Sequence, residues 1–171
     1  MKIKPGLSSY ISHPESAGPS LQVLINFMKE EIPQEMWEHT PIWLKATAGL
    51  RLLTSSESAK ILHSVRTMLS SKEVPFIFNS AMATIMPGNE EGAYSWIAYN
   101  YLKKLIGPKR QKRGTGQKNS NLMGETEPYT VVDMGGASVQ VTAMALTPRD
   151  EESIPKESKM TFVIGIMNMY F

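Results

Sequence analysis

The stretch Val131-Val132-Asp133-Met134-Gly135-Gly136-Ala137-Ser138-Val139-Gln140-Val141 reads as an apolar strand, a tight glycine turn and a returning strand. The first strand carries one carboxylate, Asp133, to the rim of the turn. In the returning strand, alternation puts Ser138 and Gln140 on one face and Val139 and Val141 on the other. Glycines let backbone amides approach a ligand with no Cβ in the way, and successive amides in such a turn form an anion-binding nest. The arrangement suits a phosphate cradle, with Asp133 beside it to hold a divalent cation directly or through water. An ordinary β-hairpin whose glycines serve only the turn has the same pattern. Taken by itself, the stretch leaves both readings open.

Two segments upstream carry further chemistry. Pro87-Gly88-Asn89 turns the chain into a helix expected over roughly residues 91–105, headed by Glu90 and Glu91. Carboxylates at a helix N-terminus are favoured by the dipole and kept ionised, and an ionised carboxylate can orient and deprotonate a water. Plain helix-start chemistry accounts for the same pair. Behind it Ala93, Trp96, Ile97 and Tyr101 form a packing stripe. Further back, residues 41–46 read as a buried strand, followed by the small-residue turn Thr47-Ala48-Gly49. Small side chains there allow a phosphate to approach Thr47 and the free amides of the next turn. A closely packed strand-to-helix corner explains them equally well.

The rest of the chain supplies scaffold. Residues 2–19, rich in Gly, Pro and Ser, read as an extended lead-in. Leu21, Leu24, Ile25 and Met28 make one helical face that Pro33 ends. Thr54-Ser55-Ser56-Glu57 is a capping-box pattern ahead of a second stripe, Ile61, Leu62, Val65, Met68 and Leu69. Residues 74–86 suggest two short strands broken near Asn79-Ser80. Between Lys103 and Lys118 lie seven Lys and Arg and no acid. No aromatics interleave there to stack bases, so a solvated loop is the expected reading. His13, His39 and His63 are scattered without ligand spacing and read as surface residues.

Composition narrows the classes. At 171 residues with 42% hydrophobic and 20% charged content, the chain holds enough core-forming residues for one ordinary domain, or two very small ones. A formal net charge of +2 gives no ground for nucleic-acid or acidic-membrane binding. No apolar run approaches the roughly 20 residues of a membrane span. Zero cysteines exclude disulfide scaffolds, Cys-ligated metals and thiol catalysis.

Three segments together resemble the apyrase family, the nucleoside triphosphate diphosphohydrolases that include ecto-apyrases and Golgi nucleoside diphosphatases. TPIWLKATAGLRLL (40–53) is similar to the second of the family's five conserved regions, IMPGNEEGAYSWIAYNYL (85–102) to the third and VVDMGGASVQVT (131–142) to the fourth. Order and spacing agree, and the resemblance runs from about Lys2 to Thr142. KIKPGLSSY (2–10) and LKATAGLRLL (44–53) are most similar to soluble diphosphatases of the secretory pathway, which prefer diphosphates such as UDP and GDP.

The resemblance implies an α/β, actin-like (ribonuclease H-like) fold, a mixed sheet flanked by helices, forming roughly the first lobe of a two-lobed enzyme. It implies hydrolysis of the terminal phosphate of a nucleoside di- or triphosphate by activated water, with Ca²⁺ or Mg²⁺ and no phosphoenzyme. Glu91 would be the general base, and Ser138 and Gln140 would position the water. Gly135, Gly136 and Ala137 would bind phosphate through backbone amides, with Thr47 and Ala48 lining the same pocket. Asp133 would hold the cation through water. Val139 stands where the family usually has Thr, on the face away from Ser138.

The first conserved region is expected upstream of Lys2 and the fifth beyond Phe171, so the chain is expected to be a fragment. Residues 1–146 would form a partial N-terminal lobe with a basic loop over 103–128, and 147–171 a divergent tail. The implied setting is the secretory lumen, a membrane facing it, or the cell exterior. Two alternatives remain at this point: a catalytically inactive lobe that retains nucleotide or partner binding, and another actin-like ATPase such as a sugar kinase or chaperone.

Overall fold

The structure, a computed structural model, describes residues 1–107, 127–145 and 148–159. Most of the basic segment and the apolar stretch 160–171 lie outside the described residues. The elements are mixed α/β, with two small sheets, and they fall into two compact units, Met1–Pro87 and Gly88–Phe171.

The first unit is built around a parallel pair. Strand β1 (Leu44–Ala46) and strand β2 (Ala83–Ile85) pair Leu44 with Ala83, Lys45 with Thr84 and Ala46 with Ile85. Parallel neighbours require a crossover, supplied by the one-turn helix α2 (Ala48–Arg51) and by α3 (Ser55–Leu69). Helix α1 (Gln22–Glu31) precedes them and closes where Ile32 turns extended ahead of Pro33. Leu21 and Ile25 from the α1 region meet Ile61, Val65 and Leu69 of α3, with Phe76, in one apolar core. Both helical stripes read from the sequence face this core, Leu24, Met28 and Met68 at its margin.

Three expectations are corrected in this unit. Residues 2–19 are not extended: they form 3-10 turns at Leu7–Tyr10 and Pro14–Ser16, with a third at Pro19–Leu21. Ser64 of α3 holds them, accepting from the Gly18 amide at 2.9 Å and donating to the Glu15 carbonyl at 2.8 Å, while Ala17 between them is fully buried. Residues 41–46 are not a fully buried strand either, because only three residues pair and Trp43 and Lys45 face outward, the Lys45 ammonium 5.4 Å from the Trp43 ring centre. In 74–86 one strand forms, not two. Ile77 makes a single parallel bridge to Pro41, and a 3-10 turn at Ser80–Met82 follows.

The capping box of α3 is complete. Thr54 Oγ1 accepts from the Glu57 amide, and Glu57 Oε2 accepts from both the Thr54 amide (2.9 Å) and its hydroxyl (2.7 Å). The hydroxyl bond first, then the amide bond, lowers the Glu57 pKa below the usual carboxylate value. A carboxyl whose folded pKa is depressed stabilises the fold above its unfolded pKa and loses that contribution as pH falls through the folded one. Thr54→Ala is therefore expected to lower the thermal midpoint at neutral pH, and the gap from the parent chain should narrow on acidification through the carboxylate range, as read by circular dichroism melts at both pH values.

In the second unit, helix α4 (Gly88–Leu102) packs on an antiparallel hairpin of β3 (Val131–Met134) and β4 (Val139–Thr142). The helix begins and ends about three residues earlier than expected, which brings Glu90 and Glu91 into its first turn. Its buried face also differs from the expected stripe. Gly92, Ala93, Trp96 and Asn100 are inside, whereas Tyr101 is 37% exposed. A short helix α5 (Pro148–Ser153) follows.

Candidate functional site

The strand–turn–strand hairpin forms as read from the sequence. Asp133 lies opposite Gln140 and Met134 opposite Val139. Directly opposed residues share a face, so Asp133 and Gln140 stand together on the half-buried side, with Thr142. Val132, Met134, Val139 and Val141 occupy the other, exposed side. Ser138, at the end of the turn, is half-buried.

Gly92 allows α4 to approach this hairpin closely. A Cβ at that position would lie 2.6 Å from Thr142 Oγ1 and 3.0 Å from Gln140 Cβ. The absence of a side chain lets the first turn of the helix lie flat on β4, and Glu91 is the preceding residue. Glu91 is half-buried, with Oε2 shielded from solvent. Gln140 Oε1 is buried and has no hydrogen-bond partner among the described residues. Leaving a buried acceptor unpaired carries a cost of about 1–3 kcal/mol, so this oxygen is suited to a water or other donor supplied from outside the chain. Gly92→Ala is expected to destabilise the second unit by about 1–3 kcal/mol through overpacking. Chemical denaturation followed by circular dichroism measures it.

The turn glycines have a different explanation. The Gly135 amide donates to the Ser138 carbonyl at 2.9 Å and closes the hairpin. Gly135 therefore does not offer the free amide expected of it. Gly136 and Ala137 are exposed, and their amides enter no hydrogen bond among the described residues. Neither Gly135 nor Gly136 has a left-handed φ. A Cβ on Gly136 would meet nothing within 4 Å, and one on Gly135 only ordinary contacts, the nearest at 3.6 Å. Backbone conformation and packing within the chain thus do not require glycine at either position. Glycine here leaves the exposed Gly136 and Ala137 amides open to approach, a property suited to an anion.

Asp133 is half-buried and makes no ion pair among the described residues. Among the described residues its carboxylate accepts one hydrogen bond, from Ser95 Oγ of α4 at 2.6 Å. Among the described residues no three His, Cys, Asp or Glu gather as a metal-binding group. A cation beside Asp133 would take its remaining ligands from water and phosphate oxygens, the mode that suits Mg²⁺ and is open to Ca²⁺. The donor set fits such an ion.

Thr47 and Ala48 belong to the first unit. Thr47 is half-buried and caps α2, its carbonyl accepting from the Leu50 and Arg51 amides, while Ala48 is 8% exposed. Arg51 Nη1 donates to the Met86 carbonyl at 2.7 Å, tying this corner to the end of β2. His13, His39 and His63 are exposed, as read from the sequence. Sequence reasoning missed Ser95 and Asn100. Ser95 had one available signal, its place one helical turn after Glu91, and Asn100 had none.

Residues 1–164 match the GDA1/CD39 family, described as nucleoside phosphatases. A nucleoside-triphosphatase of Pisum sativum is 38% identical over 155 residues, which cover 91% of this chain and 30% of that protein. Ectonucleoside triphosphate diphosphohydrolase 5 of Gallus gallus is 37% identical over 163 residues, 94% of this chain and 33% of that protein. A guanosine-diphosphatase of Schizosaccharomyces pombe is 38% identical over 152 residues, 89% of this chain and 25% of that protein. The chain spans about a third or less of the length of these relatives.

Proposed function

The chain belongs to the GDA1/CD39 (nucleoside phosphatase) family, and from that premise we propose that it carries the water-activating part of a site hydrolysing the terminal phosphate of nucleoside di- and triphosphates. The observation that carries this reading is the packing of α4 on the hairpin at Gly92, which joins Glu91 to the face bearing Asp133 and the unpaired Gln140 oxygen.

In the proposed mechanism Glu91 accepts a proton from the attacking water. Gln140 Oε1 and the Ser138 hydroxyl hold that water, which meets the hydrogen-bonding demand of a buried acceptor. The amides of Gly136 and Ala137 receive phosphate oxygens, and Gly135 keeps their approach clear. Asp133 would hold Ca²⁺ or Mg²⁺ through water, an ion that would supply charge neutralisation for the phosphate. Such sites act mainly by position and electrostatics, with little covalent participation of the protein.

The proposal extends to context. We read residues 1–146 as part of an N-terminal lobe and 147–171 as a tail, and family membership supports the actin-like arrangement and the secretory-lumen or extracellular setting. Among the described residues, no helix is long and apolar enough to cross a membrane. The test is phosphate release by the chain from UDP, GDP and ATP, with a nucleoside monophosphate as control and with Ca²⁺, Mg²⁺ or chelator present. Release from di- and triphosphates that chelation abolishes is the expected result. Nucleotide-dependent thermal stabilisation with no release would reject turnover by this chain and leave a nucleotide-binding lobe.

A further inference from the structure

We propose that Ser95 is a positioning residue for Asp133, holding one carboxylate oxygen so that the other is presented to a hydrated divalent cation. The inference rests on the reading of Asp133 given above and adds a residue to it. Ser95 Oγ donates to Asp133 Oδ2 at 2.6 Å across 38 residues of sequence. That length is typical of a charge-assisted O–H···O⁻ bond. It is the only hydrogen bond that the Asp133 carboxylate makes among the described residues, and no cationic side chain pairs with it there. Oδ1 is consequently the oxygen left for a ligand from outside the chain.

The helix adds a second argument. Glu91 and Ser95 stand four residues apart on α4, and such residues share a helix face. One rigid element thereby carries the proposed base and the hydroxyl that orients the proposed cation carboxylate. Gly92, between them, seats this face on β4. The spacing between base and cation is then set by the helix and the strand register rather than by loop conformation. Outer-shell hydrogen bonds of this kind typically change metal affinity by about 10–100-fold when removed.

Mn²⁺ titration of the full chain, followed by the loss of the free-ion electron paramagnetic resonance signal, tests the assignment without recourse to activity. Ser95→Ala is expected to weaken Mn²⁺ binding about tenfold, with the far-ultraviolet circular dichroism spectrum unchanged. Ser95→Thr, which keeps the hydroxyl, should bind close to the parent chain, and Asp133→Asn should abolish binding. If Ser95→Ala does not fold, Ser95→Cys, close in size and a weak donor, should show the same loss. Parent-like affinity in the Ala or Cys variant, with binding abolished in Asp133→Asn, would overturn the role of Ser95 and leave the cation reading intact. A Thr variant as weak as the Ala variant would also overturn it, because packing and not the hydroxyl would then be responsible. Parent-like binding in Asp133→Asn would reject the underlying reading itself.

Discussion

Exchanging Glu91 for glutamine is expected to lower phosphate release from nucleoside di- and triphosphates by about 10²–10⁴-fold, the range that a positioned general base contributes. At 1.36 kcal/mol per tenfold, that is about 3–5 kcal/mol of transition-state stabilisation. The substitution preserves volume and one carbonyl-type acceptor, so the first turn of α4 should keep its close approach to β4 at Gly92. What is lost is the ability to accept a proton from the attacking water. Gln140, Ser138 and the amides of Gly136 and Ala137 are untouched, so nucleotide binding should persist and the loss should fall on kcat with KM little changed. A thermal melt with and without nucleotide checks that the fold and the binding survive. Equal release by the parent chain and the glutamine variant would refute the assignment of the base. A parallel rise in KM with kcat intact would move Glu91 from proton transfer to substrate binding.

Local patterns carried much of this architecture into the sequence. The hairpin is legible because apolar runs flank a glycine turn and period-two alternation specifies the faces of the returning strand, while the pairing of Asp133 with Gln140 comes from the structure. The capping box at Thr54 and Glu57 is legible because its partners lie three residues apart. The three family-like segments are legible as motifs, and the family match over residues 1–164 agrees with them. What escaped reading depends on contacts between distant residues. The turns of residues 7–21 are held by Ser64, 46 residues beyond Gly18, so a Gly- and Pro-rich stretch that looks extended is packed. Ser95 gains its meaning only when α4 meets β3. The engagement of the Gly135 amide by the Ser138 carbonyl is likewise a consequence of how the turn closes, since the same four residues could have left that amide open.

Asn100 shows this dependence at its strongest and yields the largest expected loss of stability. It is fully buried in an otherwise aromatic stretch of α4. Its Nδ2 donates to the Trp96 carbonyl (3.0 Å) and the Tyr129 carbonyl (3.1 Å), and its Oδ1 accepts from the Tyr129 amide at 2.7 Å. The side-chain amide thus pairs with both backbone groups of Tyr129 as a neighbouring strand would, two residues ahead of β3. Asn100→Ala removes all three bonds, at about 1 kcal/mol each, and leaves a cavity that adds to the cost. A total of about 3–5 kcal/mol is expected, a large part of a typical domain stability of 5–15 kcal/mol. Asn100→Asp should cost more, because it loses the donors and buries a carboxylate. Denaturant unfolding measures the totals, and amide hydrogen exchange locates the effect. Faster exchange at Val131–Met134, with α3 of the first unit unchanged, is the expected signature, whereas a change below about 0.5 kcal/mol, the size usual for a surface substitution, would show that Tyr129 is held by other contacts. Since β3 carries Asp133, the same variant should also weaken Mn²⁺ binding, through misplacement of the strand and with the Ser95 hydroxyl still present.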